Sequence, residues 1–512
     1  MRREEQDEMS RYGYFPASMS VHAGFCLPLS GGKVFFSPEE VKDLLFFYDY
    51  VPLYACLTAD DLDLFACYEK VKPPSPACVL ESLSGRENNR YSILAFHALK
   101  VLVSPLHDES INKIKEFLHR VKAYRLNLPF FYGGLIGFFN YEAGLVFEGL
   151  AVPEPDARSC YFFLPRKVVV YDRQEKKLYG FVWLTKEENN LPAVKTAYDE
   201  LDLLLQKARE SLREEERLDY AGEKDDLFLA SFEENVDKEA FCRMVNRAKE
   251  YIGKGDIFQV VLSRRLWKKS SADEKKVYRC LRRINPSPYM FFLSLPHEVL
   301  MGASPEMMVK VDKRVIKTRP IAGTCRIKEK GPRKEEGEKL LRDEKERAEH
   351  LMLVDLGRND IGKVSRVGTV EVEEFFKLER YSHVMHIVST VKGILEEGKD
   401  ALDAFASCFP AGTLTGAPKR RAMEIIAELE KEPRGFYGGA VGYINFDGYL
   451  DSCITIRAVW KKDGVYYLQS GAGIVADSVP EKEFAETVNK AKALVLAIKQ
   501  AEEERIDDPY YR

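Results

Sequence analysis

The sequence predicts an α+β fold of two domains, built on large, mostly antiparallel sheets covered by helices. Strand-like runs recur along the 512 residues, long amphipathic helical runs interrupt them, and the two do not alternate at the spacing of a parallel βαβ sheet. With 45% hydrophobic and 31% charged residues, the chain has material for more than one packed core. No internal repeat of fixed period is visible.

In the first half, residues 168–171 and 178–183 read as strands between turns. Residues 203–226 pass from an apolar-periodic helix into a dense charge run ending near Gly222, a solvated helix leading into a connector. That places a boundary near 230 and domains at 1–230 and 231–512. Beyond it, Phe241, Met244, Val245, Ala248, Tyr251 and Ile252 recur at helical spacing, and Gly253 and Gly255 are placed to end that helix. Strands are expected over 257–267, 290–295, 307–311, 440–445, 452–460 and 465–470. Helices are expected over the charged run 339–355 and after Pro480.

Composition excludes several functions. Lys+Arg 77 against Asp+Glu 81 leaves a net charge of −4, so neither a nucleic-acid nor an anionic-membrane footprint is present. The first twenty residues lack the apolar core of a secretory signal. The greasiest stretch, 128–139, contains Pro129, Gly133 and Gly134 and falls well short of the roughly 20 residues a spanning helix needs. The 10 cysteines are scattered without a Cys-x-x-Cys pair, which points to a reducing compartment. A cytoplasmic protein is expected, with no nucleic-acid and no membrane partner.

Two carboxylate pairs stand out. Glu346 and Glu349 are three apart in one helical run, and Glu483 and Glu486 are three apart in the last, so each pair shares a helix face. Either pair alone is an ordinary solvated face, but oxygen-only ligands from two faces suit a hard cation such as Mg²⁺. Arg457 ends the alternating run Cys453-Ile454-Thr455-Ile456 and offers a planar fork to a carboxylate. Gly471 and Gly473 read as a turn with open backbone N–H groups. Lys490 shares a helical face with Glu486.

Dense motifs surround these residues: Gly255-Asp256-Ile257-Phe258-Gln259-Val260-Val261-Leu262-Ser263, Gly302-Ala303-Ser304-Pro305-Glu306, Arg319-Pro320-Ile321-Ala322-Gly323-Thr324, the run 349–360, the run 409–419, and Gln469-Ser470-Gly471-Ala472-Gly473. Together they resemble the anthranilate synthase component I family of the chorismate-utilising enzymes, densely over 235–500 and more thinly over the first 200 residues. The resemblance implies a two-domain α+β fold and conversion of chorismate and ammonia to anthranilate and pyruvate through 2-amino-2-deoxyisochorismate.

It also implies residue roles. Mg²⁺ would sit on the ring carboxylate, held by Glu349 and Glu486 with Glu346 and Glu483 in support. Arg457 and Tyr437 would bind the enolpyruvyl carboxylate, while Gly323, Thr324, Gly471, Ala472, Gly473 and Lys490 line the substrate. Glu306 resembles the general acid that protonates the departing ring hydroxyl, a role requiring a raised pKa. His386 belongs to aromatisation with loss of pyruvate, and Thr413 is its companion in orienting the substrate. Two positions discriminate among family reactions. Relatives making 4-amino-4-deoxychorismate carry lysine where Ala322 stands, and those adding water carry lysine where Gln259 stands; neither alanine nor glutamine can do that work at neutral pH.

Leu80-Glu81-Ser82 and Asn285-Pro286-Ser287-Pro288-Tyr289-Met290 resemble the paired segments that bind feedback L-tryptophan. Glu81 and Ser82 would meet the amino-acid end, and Pro288, Tyr289 and Met290 the indole. Gly24-Phe25-Cys26 and Gly323-Thr324-Cys325 lack the glycine that should follow a glutaminase nucleophile. Ammonia is therefore expected from a separate glutamine amidotransferase subunit. The competing readings are an aminodeoxychorismate synthase, an enzyme stopping at the amino intermediate, and a non-catalytic regulatory subunit that binds chorismate or tryptophan.

Overall fold

Among the residues described in a computed structural model of the chain, twenty-one strands join into one hydrogen-bonded sheet, and every ladder between these strands is antiparallel. The structure describes residues 27–83, 90–106, 110–152, 154, 157–211, 228–326, 333–380 and 384–506. The expected connector between the halves, and Cys26, lie wholly or largely outside these residues. Among the described residues no helix is long and apolar enough to cross a membrane.

The sheet crosses between the two halves of the sequence. Ala77–Glu81 pairs with Tyr289–Leu295, opposing Glu81 to Met290, and Gly134–Phe139 pairs with Ala440–Asn445. Two large apolar cores each draw on both halves. A smaller one packs the helix Lys238–Gly253 against the strands Gln259–Lys269 and Val465–Ile474. That helix starts where the Asp237 carboxylate accepts the Ala240 N–H at 2.7 Å. It ends before Gly255, whose φ of +82° suits a residue without a Cβ.

Local chemistry explains three departures from the sequence reading. The helical run expected over 339–355 is two helices, Arg333–Arg342 and Glu344–Gly362, because Asp343 leaves helical geometry and caps the second through the Glu346 N–H. The strand expected over 452–460 is broken into Leu450–Ile454 and Ala458–Lys462, with Arg457 between them at φ +50°. Gly471 and Gly473 are not a turn. They lie inside Val465–Ile474, opposite Ser263 and Val261 of the neighbouring strand.

Candidate active site

Glu306 sits on the short link between the strands Glu298–Ser304 and Met307–Asp312. Its N–H reaches the Ser304 hydroxyl at 3.3 Å, and its carbonyl accepts the Ile454 N–H at 3.1 Å. The backbone is held from both sides and the side chain is buried. Burial pushes the Glu306 carboxyl up to about 7, against smaller opposing effects of the Thr413 hydroxyl and the Lys490 ammonium. The Thr413 hydroxyl is buried and has no well-aligned partner elsewhere among the described residues.

Lys490 leads from this acid to the rest of the site. It donates to the Gly471 carbonyl at 2.9 Å and pairs with Glu486 at 2.6 Å. Its ion pair and its contact with the glycine strand therefore coexist. The glycines permit close approach. A Cβ on Gly471 would lie 2.7 Å from the Tyr437 hydroxyl oxygen, and one on Gly473 would lie 2.6 Å from Nε2 of Gln259. Alternation along a strand sends the intervening Ala472 methyl the other way, into the core with Leu262 and Ile425, so only its backbone can meet a ligand.

Arg457 closes the group. Its left-handed backbone is uncommon for a non-glycine residue and interrupts the strand run at this point. Burial lowers its pKa below the ordinary arginine range, while Tyr437 and Glu486 pull the other way. No carboxylate among the described residues forms an ion pair with it. A half-buried guanidinium that no direct ion pair holds, with the Tyr437 ring and the Glu486 carboxylate within electrostatic reach, can receive an organic anion.

A second group lies on the ladder between Ile321–Arg326 and Val384–Ile394. Ala322 opposes Ile387, and Thr324 opposes His386 across a register shift. Ala322 is buried and His386 half-buried. The Gly323 and Thr324 side chains lie outside the described residues. The helix Glu344–Gly362, which carries Glu346 and Glu349, packs on this ladder and on Gly412–Thr415, the turn of helix bearing Thr413. A Cβ on Gly412 would fall 1.7 Å from a Leu356 methyl, which shows how closely the two pack. The same helix is anchored by buried His350, whose Nε2 lies 2.6 Å from the Ser389 hydroxyl.

Glu483 and Glu486 stand on the separate helix Pro480–Ile506. Among the described residues no three His, Cys, Asp or Glu side chains gather into a metal-sized cluster. A cation such as Mg²⁺ needs only one or two protein carboxylates and takes its remaining oxygens from ligand and water.

Glu81, Ser82, Pro288, Tyr289 and Met290 come together on the wall of a cavity of about 1050 Å³ whose lining reaches Met307 but does not include Glu306. Glu81 already has partners: Arg282 at 3.1 Å and the Tyr278 hydroxyl at 3.2 Å. A carboxylate has about four acceptor positions, so it retains capacity for an ammonium group. The buried Ser82 hydroxyl lacks a partner among the described residues. Opposite this end, Tyr289 donates to Asp451 at 3.2 Å and Lys310 pairs with the same carboxylate at 3.2 Å.

Sequence reading missed two buried charged groups. Lys419 pairs with Asp360 at 2.9 Å and joins two motif-bearing helices. Arg434 lies beneath Tyr437 in a Pro/Gly-rich loop. Lys419 ends the motif run 409–419, whereas Arg434 carries no signal beyond standing three residues before Tyr437.

Residues 76–496 match the family described as chorismate binding enzyme. The chain is 44% identical over 494 residues to anthranilate synthase component 1 of Acetivibrio thermocellus, covering 91% of this chain and 99% of that one. It is 42% identical to the protein of the same name from Aquifex aeolicus, covering 91% and 98%. A crystal structure of anthranilate synthase component I from Streptococcus pneumoniae superposes with a TM-score of 0.68 at 34% identity, covering 80% of this chain and 93% of that one. The menaquinone-specific isochorismate synthase of Escherichia coli shares the fold, at a TM-score of 0.67 and 18% identity over 90% and 98% of the two chains.

Proposed function

This chain belongs to the chorismate-binding enzyme family, and we propose that within it the protein catalyses the anthranilate synthase component I reaction. Chorismate and ammonia give 2-amino-2-deoxyisochorismate and water, and this intermediate then gives anthranilate and pyruvate. The observation that carries the reading is the buried Glu306 with a pKa near 7 in one site with Arg457, which no direct ion pair among the described residues holds.

Loss of a ring hydroxyl needs a proton on the leaving oxygen. An ordinary carboxyl would be almost wholly ionised at neutral pH, whereas Glu306 retains about half its protons near pH 7. Arg457, with the Tyr437 hydroxyl, takes the enolpyruvyl carboxylate, and Lys490 adds positive charge beside Gly471. Gln259 fills the space that Gly473 leaves and offers hydrogen bonds without a base. Ala322 presents a methyl group, so this position contributes no nucleophilic amine and free ammonia is the attacking species.

In the second step His386 removes the ring proton as the enolpyruvyl group departs, and Thr413 orients the ring. Bound Mg²⁺, held by Glu349 and Glu486 with Glu346 and Glu483 in support, would neutralise the ring carboxylate and fix its orientation. Ammonia would come from a separate glutamine amidotransferase subunit. The cavity at Glu81, Ser82 and Met290 would bind L-tryptophan as an inhibitor, a reading supported by the partnerless Ser82 hydroxyl and the apolar Pro288 and Met290. Any such coupling to chorismate binding is reciprocal.

The test is the purified chain with chorismate, MgCl₂ and ammonium chloride, followed by anthranilate fluorescence. Steady turnover that disappears in Glu306→Gln is expected. A folded wild-type chain that binds chorismate without consuming it would sink the catalytic reading and favour a regulatory subunit.

A further inference from the structure

The candidate substrate groups stand on three separate pieces of chain: the strand beginning at Gln259, the helical turn holding Thr413, and the loop holding Tyr437. One buried residue links all three, because Arg434 belongs to the Tyr437 loop and its guanidinium bonds the other two. The Arg434 guanidinium donates to the Leu414 carbonyl at 2.6 Å, next to Thr413, and to the Val261 carbonyl at 2.7 Å, two residues from Gln259. It grips Glu430 bidentately, Nε at 2.8 Å and an Nη at 2.6 Å.

Glu430 passes the hold onward. Its carboxylate accepts the Ser263 N–H at 2.7 Å and the Ser263 hydroxyl at 3.0 Å. Ser263 and Val261 are the residues opposite Gly471 and Gly473 in the ladder. Arg434 also lies 5.7 Å from the Tyr437 ring centroid and 4.7 Å from that of Tyr141. The loop is pinned from the first half of the sequence. Buried Glu142 accepts the Arg434 N–H at 2.6 Å and the Gly435 N–H at 3.1 Å.

We propose that Arg434, seated by Glu142 and Glu430, is the positioning residue that sets Thr413, Tyr437 and the glycine strand in one mutual geometry for the reaction. The inference rests on the functional reading above. A planar fork is what the task requires. Four bonds run from three guanidinium nitrogens to acceptors on three elements, and a lysine ammonium, with its donors on one atom, cannot span them. Small misplacement of substrate-positioning groups costs rate far more than it costs fold, by roughly 10- to 100-fold.

The effect reaches Glu306 with a definite sign. Thr413 favours the ionised form of Glu306, so a loosened Thr413 moves the alkaline limb of kcat/KM to higher pH. The experiment measures kcat/KM for chorismate against pH, at constant free ammonia, in wild type, Arg434→Lys, Glu142→Gln and Leu205→Ala. Leu205 is buried on the helix Leu191–Arg209, which packs on the first-half strand Lys177–Thr185, and serves as a purely destabilising control.

Arg434→Lys is expected to lose at least about tenfold in kcat/KM with an upward-shifted alkaline limb, Glu142→Gln to show a smaller change of the same sign, and Leu205→Ala to lower Tm with the limb unmoved. A wild-type limb in Arg434→Lys, or in Glu142→Gln if the lysine variant does not fold, would overturn the proposal. So would limb shifts that merely follow Tm across the set, Leu205→Ala included. A wild-type chain with no chorismate turnover would fail the functional reading first and this inference with it.

Discussion

Glu306→Gln is expected to remove most activity while making the folded chain more stable at alkaline pH. Burial raises the Glu306 carboxyl from 4.5 to about 7, which disfavours its charged form by on the order of 3 kcal/mol. Because the folded pKa lies above the unfolded one, this residue's contribution to stability is intact below about pH 4.5 and is lost as pH rises towards about 7. A glutamine stays neutral and is spared that loss. On the catalytic side, the wild-type acid is about half protonated at pH 7 and roughly one-tenth protonated a unit higher, so kcat/KM should fall about tenfold per pH unit above its limb. Removing the acid should cost about 10²- to 10⁴-fold. The assay is anthranilate fluorescence between pH 6 and 9, with total ammonium adjusted to keep free ammonia constant, and thermal melts of both proteins over the same range. A wild-type kcat/KM flat above pH 7, or a glutamine variant retaining more than about a tenth of the activity, would refute the assignment of Glu306 as the acid.

Arg457→Lys should raise the chorismate KM by at least about tenfold, because a point charge replaces a planar fork that no direct ion pair among the described residues occupies; an unchanged KM in steady-state assays would remove Arg457 from the anion site. In Gly473→Ala the new methyl meets Gln259 Nε2 at 2.6 Å, so the glutamine must shift and kcat/KM should drop several-fold with a melting temperature lowered by only a few degrees. Ser82→Phe should abolish protection by L-tryptophan in thermal melts and its inhibition of turnover while sparing basal activity, and inhibition that persists unchanged would displace the ligand from this cavity.

Much of the site was legible because its residues sit in short motifs whose local structure follows from local chemistry. The strand Ala440–Asn445 matches its expected bounds, and Glu306 lies at the strand junction that Ser304-Pro305 marks. Gly471 and Gly473 were misread because glycine preference cannot distinguish a turn from a strand through which a tyrosine and a glutamine must pass closely. The split at Asp343 was hidden because an acidic residue in a charged run looks the same whether it lies within a helix or caps one.

What sequence could not convey is pairing at long range. Nothing local tells that Glu81 will oppose Met290, or that Glu142 will cap a loop almost three hundred residues later. Arg434 was missed for the same reason, since a single arginine in a polar loop ordinarily lies at the surface. The partners that bury it come from distant segments.

In the proposed reaction this site carries chorismate past the amino intermediate to the aromatic product. The most direct measurement is product analysis by mass after incubation of the wild-type chain with chorismate, Mg²⁺ and ¹⁵N-ammonium. ¹⁵N-anthranilate and pyruvate in equal amounts are expected, whereas isochorismate, 4-amino-4-deoxychorismate or accumulated 2-amino-2-deoxyisochorismate as the end product would overturn the proposed reaction.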